Sequence, residues 1–312
     1  MQTLIMRDVF IEEIYRRMRA NKRIFFLSAD FGSPKLDKLK RDFKERFINV
    51  GIAEQNLVNV ATGLALEGYT VYAYCIAPFL TMRAYEQIRI NLSLQGQLKD
   101  INVNLVGVGA GLSYDVSGPT HHCLEDIAIM KALPNLEVFS PSDWMLVKGI
   151  VEHSLRVKKP KYIRLDGKPL PQIYCSLKGF KIEKGFCELR KGRRVCLVAT
   201  GMMTHKALQA AQVMDCGVID LFLIKPLDEP ALARALKKYE GVITLEEGFV
   251  DSGGLDSLVL KVINRGRARP RFMNMGFGQR YVFEMGSRDY LHKLNHLDVA
   301  GIIKNIKTLA RP

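Results

Sequence analysis

The 312 residues are 48% hydrophobic and 25% charged, the balance of an ordinary globular protein, which excludes disorder, collagen and coiled coil as dominant states. At roughly 150 residues per domain the length suggests two domains, and no apolar run reaches the ~18 residues of a membrane span. Lys and Arg number 46 against 32 Asp and Glu, a net charge of +14, which points to an anionic substrate, an acidic partner subunit or nucleic acid.

The opening MQTLIMRDVFIEEIYRRMRANKR sets acids and bases inside its apolar pattern, so it is not a secretory signal. Arg7 to Ala20 reads as an amphipathic helix with Val9, Phe10, Ile14 and Met18 near one face. IFFLSA at 24–29 and RFINV at 46–50 read as strands, and Ala53 to Leu66 as an apolar helix ended by Gly68. TVYAYC at 70–75 is a strand, Thr81 to Leu94 a helix, and NVNLVGVG at 102–109 a buried strand before a glycine-rich loop. Asp126 to Ala132 is a short helix, LEVFS at 136–140 a strand, Trp144 to Val157 a helix, and KYIRL at 161–165 a strand. Residues 166–192, with Pro169, Pro171, Gly179, Gly185 and two short β-like pieces, break the rhythm.

A second alternation follows. Strands are expected at 194–200, 216–220, 241–247 and 271–276, and helices at 205–214, 230–239, 255–262 and 299–309. Strands interleaved with helices of this length imply parallel sheets, so the fold class is α/β with two doubly wound domains. The division expected is a first domain over 1–168, a linker over 169–192 and a second domain over 193–312. Residues 261–312 hold eleven Lys and Arg against three acids, with RGRARPR at 265–271, which reads as a solvated or partner-facing segment. Nucleic-acid binding is disfavoured, because neither zinc-finger spacing nor an aromatic RNA-binding signature accompanies the charge. Six cysteines occur with no C-x-x-C pair and read as reduced core thiols of a cytosolic protein.

Phosphate-loop, dinucleotide, zincin and nucleophile-elbow motifs are missing. Three segments stand out instead. NVGIAEQN at 49–56 puts Glu54 at the start of an apolar helix just past a strand's carboxyl end, where ligands bind in a doubly wound sheet; dipole stabilisation is the alternative role for that carboxylate. CIAPFLTMRAYEQIR at 75–89 brackets a helix start with Phe79 and Tyr85, as core aromatics or as a cofactor platform. GLSYDVSGPTHHCLED at 111–126 carries adjacent His121 and His122 on a loop. Adjacent side chains rarely share one ion, so substrate hydrogen bonding or proton handling is favoured over metal ligation.

The order GIAEQN, RAYEQIR, GPTHH-x-x-ED and LPNLEVFSPSD at 133–143 resembles the transketolase family. The resemblance is to that family's pyrimidine-binding middle domain, with residues 195–312 similar to its carboxyl-terminal domain. It implies a thiamine-diphosphate enzyme. Glu54 would hydrogen-bond a ring nitrogen of the aminopyrimidine, favouring the imino tautomer that removes the thiazolium proton. Phe79 matches the aromatic that stacks on that ring, with Tyr85 a second candidate. Asp30 matches an Asp near the thiazolium, although a turn or cap role suits it equally. His121 matches the histidine that contacts the reacting ketose and helps move protons, His122 takes the next position and supports the loop, and Arg7 falls at a substrate-phosphate arginine or is a surface cation.

The family's amino-terminal domain, with its GDG motif, is absent: no GDG occurs, and only 48 residues precede NVGIAEQN. The resemblance therefore implies the shorter subunit of a split transketolase. A longer, amino-terminal-type polypeptide would supply the diphosphate site and its Mg2+ or Ca2+, and this chain would dimerise within a heterotetramer. Three family sugar and phosphate contacts differ: Gly109 replaces a histidine, Ser117 an Asp before GPTH, and Gly167, with Lys168 beside it, an Arg. The acceptor site is thus expected to be redrawn. A 2-oxoacid dehydrogenase beta subunit or deoxyxylulose-phosphate-synthase-like enzyme is the first rival, and a non-catalytic basic scaffold the second.

Overall fold

The computed structural model describes residues 2–266 and 269–310. Arg267 and Ala268 of the basic run at 265–271 lie outside the described residues. In chain order the elements begin β1 Thr3–Ile5, α1 Met6–Ala20, β2 Ile24–Ser28, α2 Pro34–Asp42, β3 Phe47–Asn49 and α3 Glu54–Leu66. They continue β4 Thr70–Ile76, α4 Ala77–Arg83, α5 Tyr85–Gln87, β5 Val103–Val108, α6 Asp126–Ala132, β6 Glu137–Phe139, α7 Trp144–Arg156, β7 Lys161–Leu165 and β8 Pro169–Pro171. The second alternation is β9 Phe186–Arg190, β10 Val195–Ala199, α8 Met203–Val213, β11 Gly217–Leu221, β12 Leu223–Lys225, α9 Glu229–Leu236 and β13 Gly241–Phe249. It closes with α10 Leu255–Arg265, β14 Arg271–Phe277, α11 Arg288–Leu294 and α12 Val299–Ala310.

Two compact units result. The first comprises the chain through Ala110, then Ile129–Phe139 and Asp143–Phe180; the second comprises Gly111–Ala128, Ser140–Ser142 and the chain from Lys181 on. The histidine loop thus packs with residues far along the sequence.

In the first unit the strands run β6-β7-β5-β4-β2-β3, all parallel. From β2 the chain goes first to β3 on one side and then to β4 on the other. The order therefore reverses between β2 and β4, and ligands of such sheets bind beyond the carboxyl ends at that reversal. Every residue of β5 and β7 is buried, as expected for central parallel strands covered on both faces. Helix α1 buries Met6, Phe10, Ile14 and Met18 at four-residue spacing. Each such fully buried side chain contributes about 1.5–3 kcal/mol. Helix α7 starts at Asp143, whose carboxylate accepts from Leu146 N at 3.0 Å and from Ile173 N and Tyr174 N at 2.7 and 2.8 Å. One acid thereby caps a helix and fastens the chain after β8. A separate antiparallel ribbon pairs β1 with β8, Ile5 opposite Pro169.

In the second unit the order is β14-β13-β10-β11-β9, parallel except for the β9 edge. Its core joins Leu197, Val218, Ile243 and Leu245 of the sheet to Ala207 of α8, Ile302 of α12, and Leu112 and Leu124 of the histidine loop. Both units are α/β with mainly parallel sheets, the class the sequence implied.

Several expectations need correction. The single helix over Thr81–Leu94 is three pieces: α4 begins earlier, with Pro78 in its first turn; Ala84 leaves helical geometry at φ −104° and ψ 16°; and Ile88–Leu94 winds as a π-helix. The basic tail is not uniformly solvated, since Arg288 is 5% exposed. Cys75, Cys123, Cys196 and Cys216 are buried free thiols, but Cys175 is exposed and Cys187 half-buried, so not every thiol belongs to a core. Among the described residues no helix is long and apolar enough to cross a membrane.

Candidate active site

The first unit gathers four of the proposed residues beyond β2, β3 and β4. Glu54 is the first residue of α3, 5% exposed. Its Oε1 accepts from Arg83 at 3.1 Å and lies 3.8 Å from the Cys75 thiol. Burial beside that carboxylate pushes the Cys75 thiol up to about 12. Arg83 also lies over the Phe79 ring, its guanidinium carbon 4.2 Å from the centroid. A buried carboxylate, a half-buried aromatic and a half-exposed arginine are therefore one cluster. The cation was missed at the sequence level, although it stands inside the RAYEQIR segment.

Asp30 follows β2 in a left-handed conformation, φ 51°. Its carboxylate accepts from Asn49 Nδ2 at 2.9 Å, and its own N–H donates to Asn49 Oδ1 at 3.0 Å. Asn49 Oδ1 also accepts from Gly51 N at 3.1 Å. This asparagine, the first residue of NVGIAEQN, therefore ties the end of β2 to the turn before α3. Tyr85 donates its hydroxyl to Ile129 O at 2.8 Å, and burial raises its pKa. That hydroxyl is engaged in helix-to-chain anchoring, and Phe79, not Tyr85, shares a cation with Glu54.

The β1–β8 register places Arg7 two residues past Ile5 and Lys168 one residue before Pro169, at the same ribbon end. Arg7 Nε donates to Asp8 Oδ1 at 2.9 Å. The Lys168 N–H donates to Asp166 Oδ1 at 2.8 Å. Two candidate phosphate-binding residues therefore stand at one end of the ribbon, an arrangement that neither position reveals in the sequence.

The remaining candidates lie in the second unit. Residues 111–122 form a tight loop, closed by a bridge in which Cys123 N donates to Gly111 O at 2.9 Å. Gly118 takes φ 77°, and its carbonyl accepts from His121 N at 3.0 Å. His121 is half-buried, and its Nδ1 is 3.1 Å from Thr120 Oγ1. Ser117 is exposed and donates its N–H to Tyr114 O at 3.0 Å. His122 is 4% exposed, with Nε2 3.5 Å from Asp115 O. Burial lowers its pKa, only partly offset by the nearby Asp115 carbonyl and Glu247, so the ring is held in its neutral form. Adjacent in sequence, the two histidines thus differ: His121 is accessible, and His122 belongs to the loop's interior. Among the described residues no group of three or more His, Cys, Asp or Glu is arranged to hold a metal.

Residues 2–172 match the family described as transketolase, pyrimidine binding domain, and residues 187–302 match transketolase, C-terminal domain. The chain is 34% identical over 303 residues to one of the subunits of the apulose-4-phosphate transketolase of Actinobacillus succinogenes, covering 95% of each chain. It is 29% identical over 306 residues to the SqwH subunit of the 6-deoxy-6-sulfo-D-fructose transketolase of Clostridium sp., covering 96% of this chain and 92% of that one. Among solved structures it superposes on a split gene transketolase, an inactive beta4 tetramer, with TM-score 0.86 and 30% identity over 99% and 100% of the two chains. The transketolase of Leishmania mexicana shares the fold at TM-score 0.81 and 18% identity, and there this chain spans 46% of the length. Matching individual subunits of split enzymes nearly end to end, this chain belongs to the transketolase family and has the organisation of a beta-type subunit of a split enzyme.

Proposed function

We propose that this chain is the shorter subunit of a cytoplasmic, thiamine-diphosphate-dependent transketolase that moves a two-carbon ketol unit between sugars or sugar phosphates. The observation that carries the reading is the Glu54 carboxylate, 5% exposed at the first turn of α3 beyond the strand-order reversal. A carboxylate that deep needs a polar partner. Its ion pair is to Arg83, whose side chain is 51% exposed and so free to yield to a ligand. With the Phe79 face alongside, the donor set fits a flat heterocycle with a basic ring nitrogen.

When bound, the cofactor supplies a stabilised carbanion equivalent. The chain's own residues prepare for it. Glu54 holds a hydrogen bond at the pyrimidine ring nitrogen. Phe79 would stack on the ring once Arg83 yields its place beside the carboxylate and over the aromatic face. Asp30, fixed by Asn49, would serve the thiazolium side of the cofactor, and Tyr85 would support the aromatic wall. His121 hydrogen-bonds the ketose and moves protons at its hydroxyl. His122 stays neutral and braces the loop, and Ser117 offers a hydroxyl to the sugar. Arg7 and Lys168 take a phosphate or other anionic end.

The diphosphate and its Mg2+ or Ca2+ belong to a longer partner subunit, with two copies of each chain in a heterotetramer. We assign the pyrimidine-binding domain to 1–168, the linker to 169–192 and the C-terminal domain to 193–312. With Gly109, Ser117 and Gly167 where the family carries sugar and phosphate contacts, the acceptor is a sugar whose phosphate is displaced or missing. The test is a coupled assay of the chain mixed with a longer subunit bearing the GDG motif. Ketol transfer with a non-standard acceptor is expected. Ordinary turnover of xylulose 5-phosphate with ribose 5-phosphate would refute the redrawn acceptor site. Release of carbon dioxide from pyruvate would move the chain to the 2-oxoacid dehydrogenases.

A further inference from the structure

The second unit carries a buried charge cluster that the ketol-transfer reading leaves unused. Glu247, near the end of β13, has its side chain 2% exposed. It accepts from Arg288 Nε at 2.7 Å, from Arg288 Nη2, and from His292 Nε2 at 2.6 Å. Arg288 and His292 are one turn apart on α11, so one helix face delivers both to the same carboxylate. Burial alone would raise the pKa of Glu247, but the Arg288 ion pair and hydrogen bonds, with His292, hold it well below the usual carboxylate range.

This cluster touches the histidine loop at its first residue and again at Asp115. A Cβ on Gly111 would lie 2.1 Å from Glu247 Oε2, so the carboxylate occupies the space a side chain would need at the loop's first residue. Farther along, the Arg288 N–H donates to Asp115 Oδ2 at 2.6 Å, while Asp115 Oδ1 accepts from Val116 N at 2.9 Å. Asp115 is 2% exposed, and its carbonyl faces His122 Nε2. The loop is fixed further by Phe249 N donating to Leu124 O at 3.1 Å. A buried ion pair contributes little net stability, but removing one partner leaves an uncompensated buried charge and is strongly unfavourable.

We infer that Glu247 and Arg288 are positioning residues, which lock the 111–122 loop from the C-terminal domain and so set the placement of His121. This rests on the reading that His121 meets the ketose. Neither residue touches substrate; each acts through the loop backbone.

The experiment uses the full chain, alone and reconstituted with the longer subunit. In the chain alone, amide exchange is compared for wild type, Arg288→Lys, Arg288→Met and Glu247→Gln, with the β10 and β11 amides as reference. The expected result is at least tenfold faster exchange over 111–122 in Arg288→Met and Glu247→Gln, partial protection in Arg288→Lys, and an unchanged sheet. In the reconstituted enzyme, with hydroxypyruvate as an unphosphorylated two-carbon donor, the donor KM is expected to rise at least fivefold while half-saturation by thiamine diphosphate stays put. A merely structural role would lower the active fraction, hence kcat, and leave KM alone. Unaltered loop exchange, or an unaltered KM in a variant whose loop has opened, overturns the proposal. If the loop opens but wild type turns over no ketose donor, the transketolase reading fails and the assignment to His121 falls with it, the mechanical coupling alone surviving.

Discussion

Replacing Gly111 by Ala tests the packing around Glu247 with a single methyl group. The backbone there is left-handed at φ +56°, and the added carbon would sit 2.1 Å from Glu247 Oε2 and 2.8 Å from its Cδ. The left-handed conformation alone costs an L-residue about 1–2 kcal/mol. The carboxylate must also move off Arg288 and His292, and separating a buried pair costs roughly 3–5 kcal/mol. Together the loss is about 4–7 kcal/mol by these two magnitudes, a large part of the stability of any domain. Gly179→Ala is the control: its φ is +72°, and nothing lies within 4 Å of the new carbon, so only the ~1–2 kcal/mol backbone term applies. Urea unfolding of the two variants, followed by circular dichroism and by proteolysis fragments that separate the two units, reads the difference. Equal midpoints for Gly111→Ala and Gly179→Ala would refute the reasoning, because the Glu247 clash would then cost nothing.

Other outcomes follow from burial and charge. Brief alkylation of the native chain is expected to label Cys175 and spare Cys75, Cys196 and Cys216, since burial pushes the Cys75 and Cys216 thiols up to about 12 and about 11 and that of Cys196 higher still. Peptide mapping that finds Cys75 labelled as fast as Cys175 would contradict the packing around Glu54. Because the folded pKa of Glu247 is depressed, below about pH 4.3 the unfolded chain binds the proton that the folded chain refuses, so stability falls as pH falls through that window. Acid titration of Glu247→Gln is expected to lack this component, and an unchanged acid slope would contradict it. The His122 ring should remain neutral at pH values where an ordinary histidine is charged, visible as a low midpoint in a nuclear magnetic resonance titration. Calorimetry with thiamine diphosphate on the chain alone is expected to detect little or no binding, and tight binding would refute the split site.

The sequence exposed what depends on local pattern. A parallel-strand segment such as Val195–Ala199 is a continuous apolar run, and α1 repeats its buried residues at helical spacing. Helix α2 escaped notice because PKLDKLKRD buries only Leu36 and Leu39; the Ser33 cap followed by Pro34 was the available signal. The π-helical stretch Ile88–Leu94 has apolar residues that a 3.6-residue reading absorbs without complaint. Motif order singled out Glu54 and Phe79 as candidates, and the fold brings both to one cation. That cation, Arg83, was not legible, because an exposed arginine and a buried glutamate 29 residues apart carry no mutual signature. The Glu247–Arg288 pair spans 41 residues, and Arg288 was hidden in a basic tail whose excess charge suggested solvent. Long-range pairing also assigns residues 111–128 to the second unit, which no linear reading of a domain boundary can reveal.

The central claim is that the Glu54 carboxyl activates the cofactor, and the most direct measurement is the ketol-transfer rate of reconstituted enzyme carrying Glu54→Gln. The substitution preserves shape, so the chain is expected to fold and assemble while the rate drops by about 10²–10⁴, the range for losing a proton-transfer partner. Wild-type turnover by the Gln variant at saturating cofactor would contradict the account.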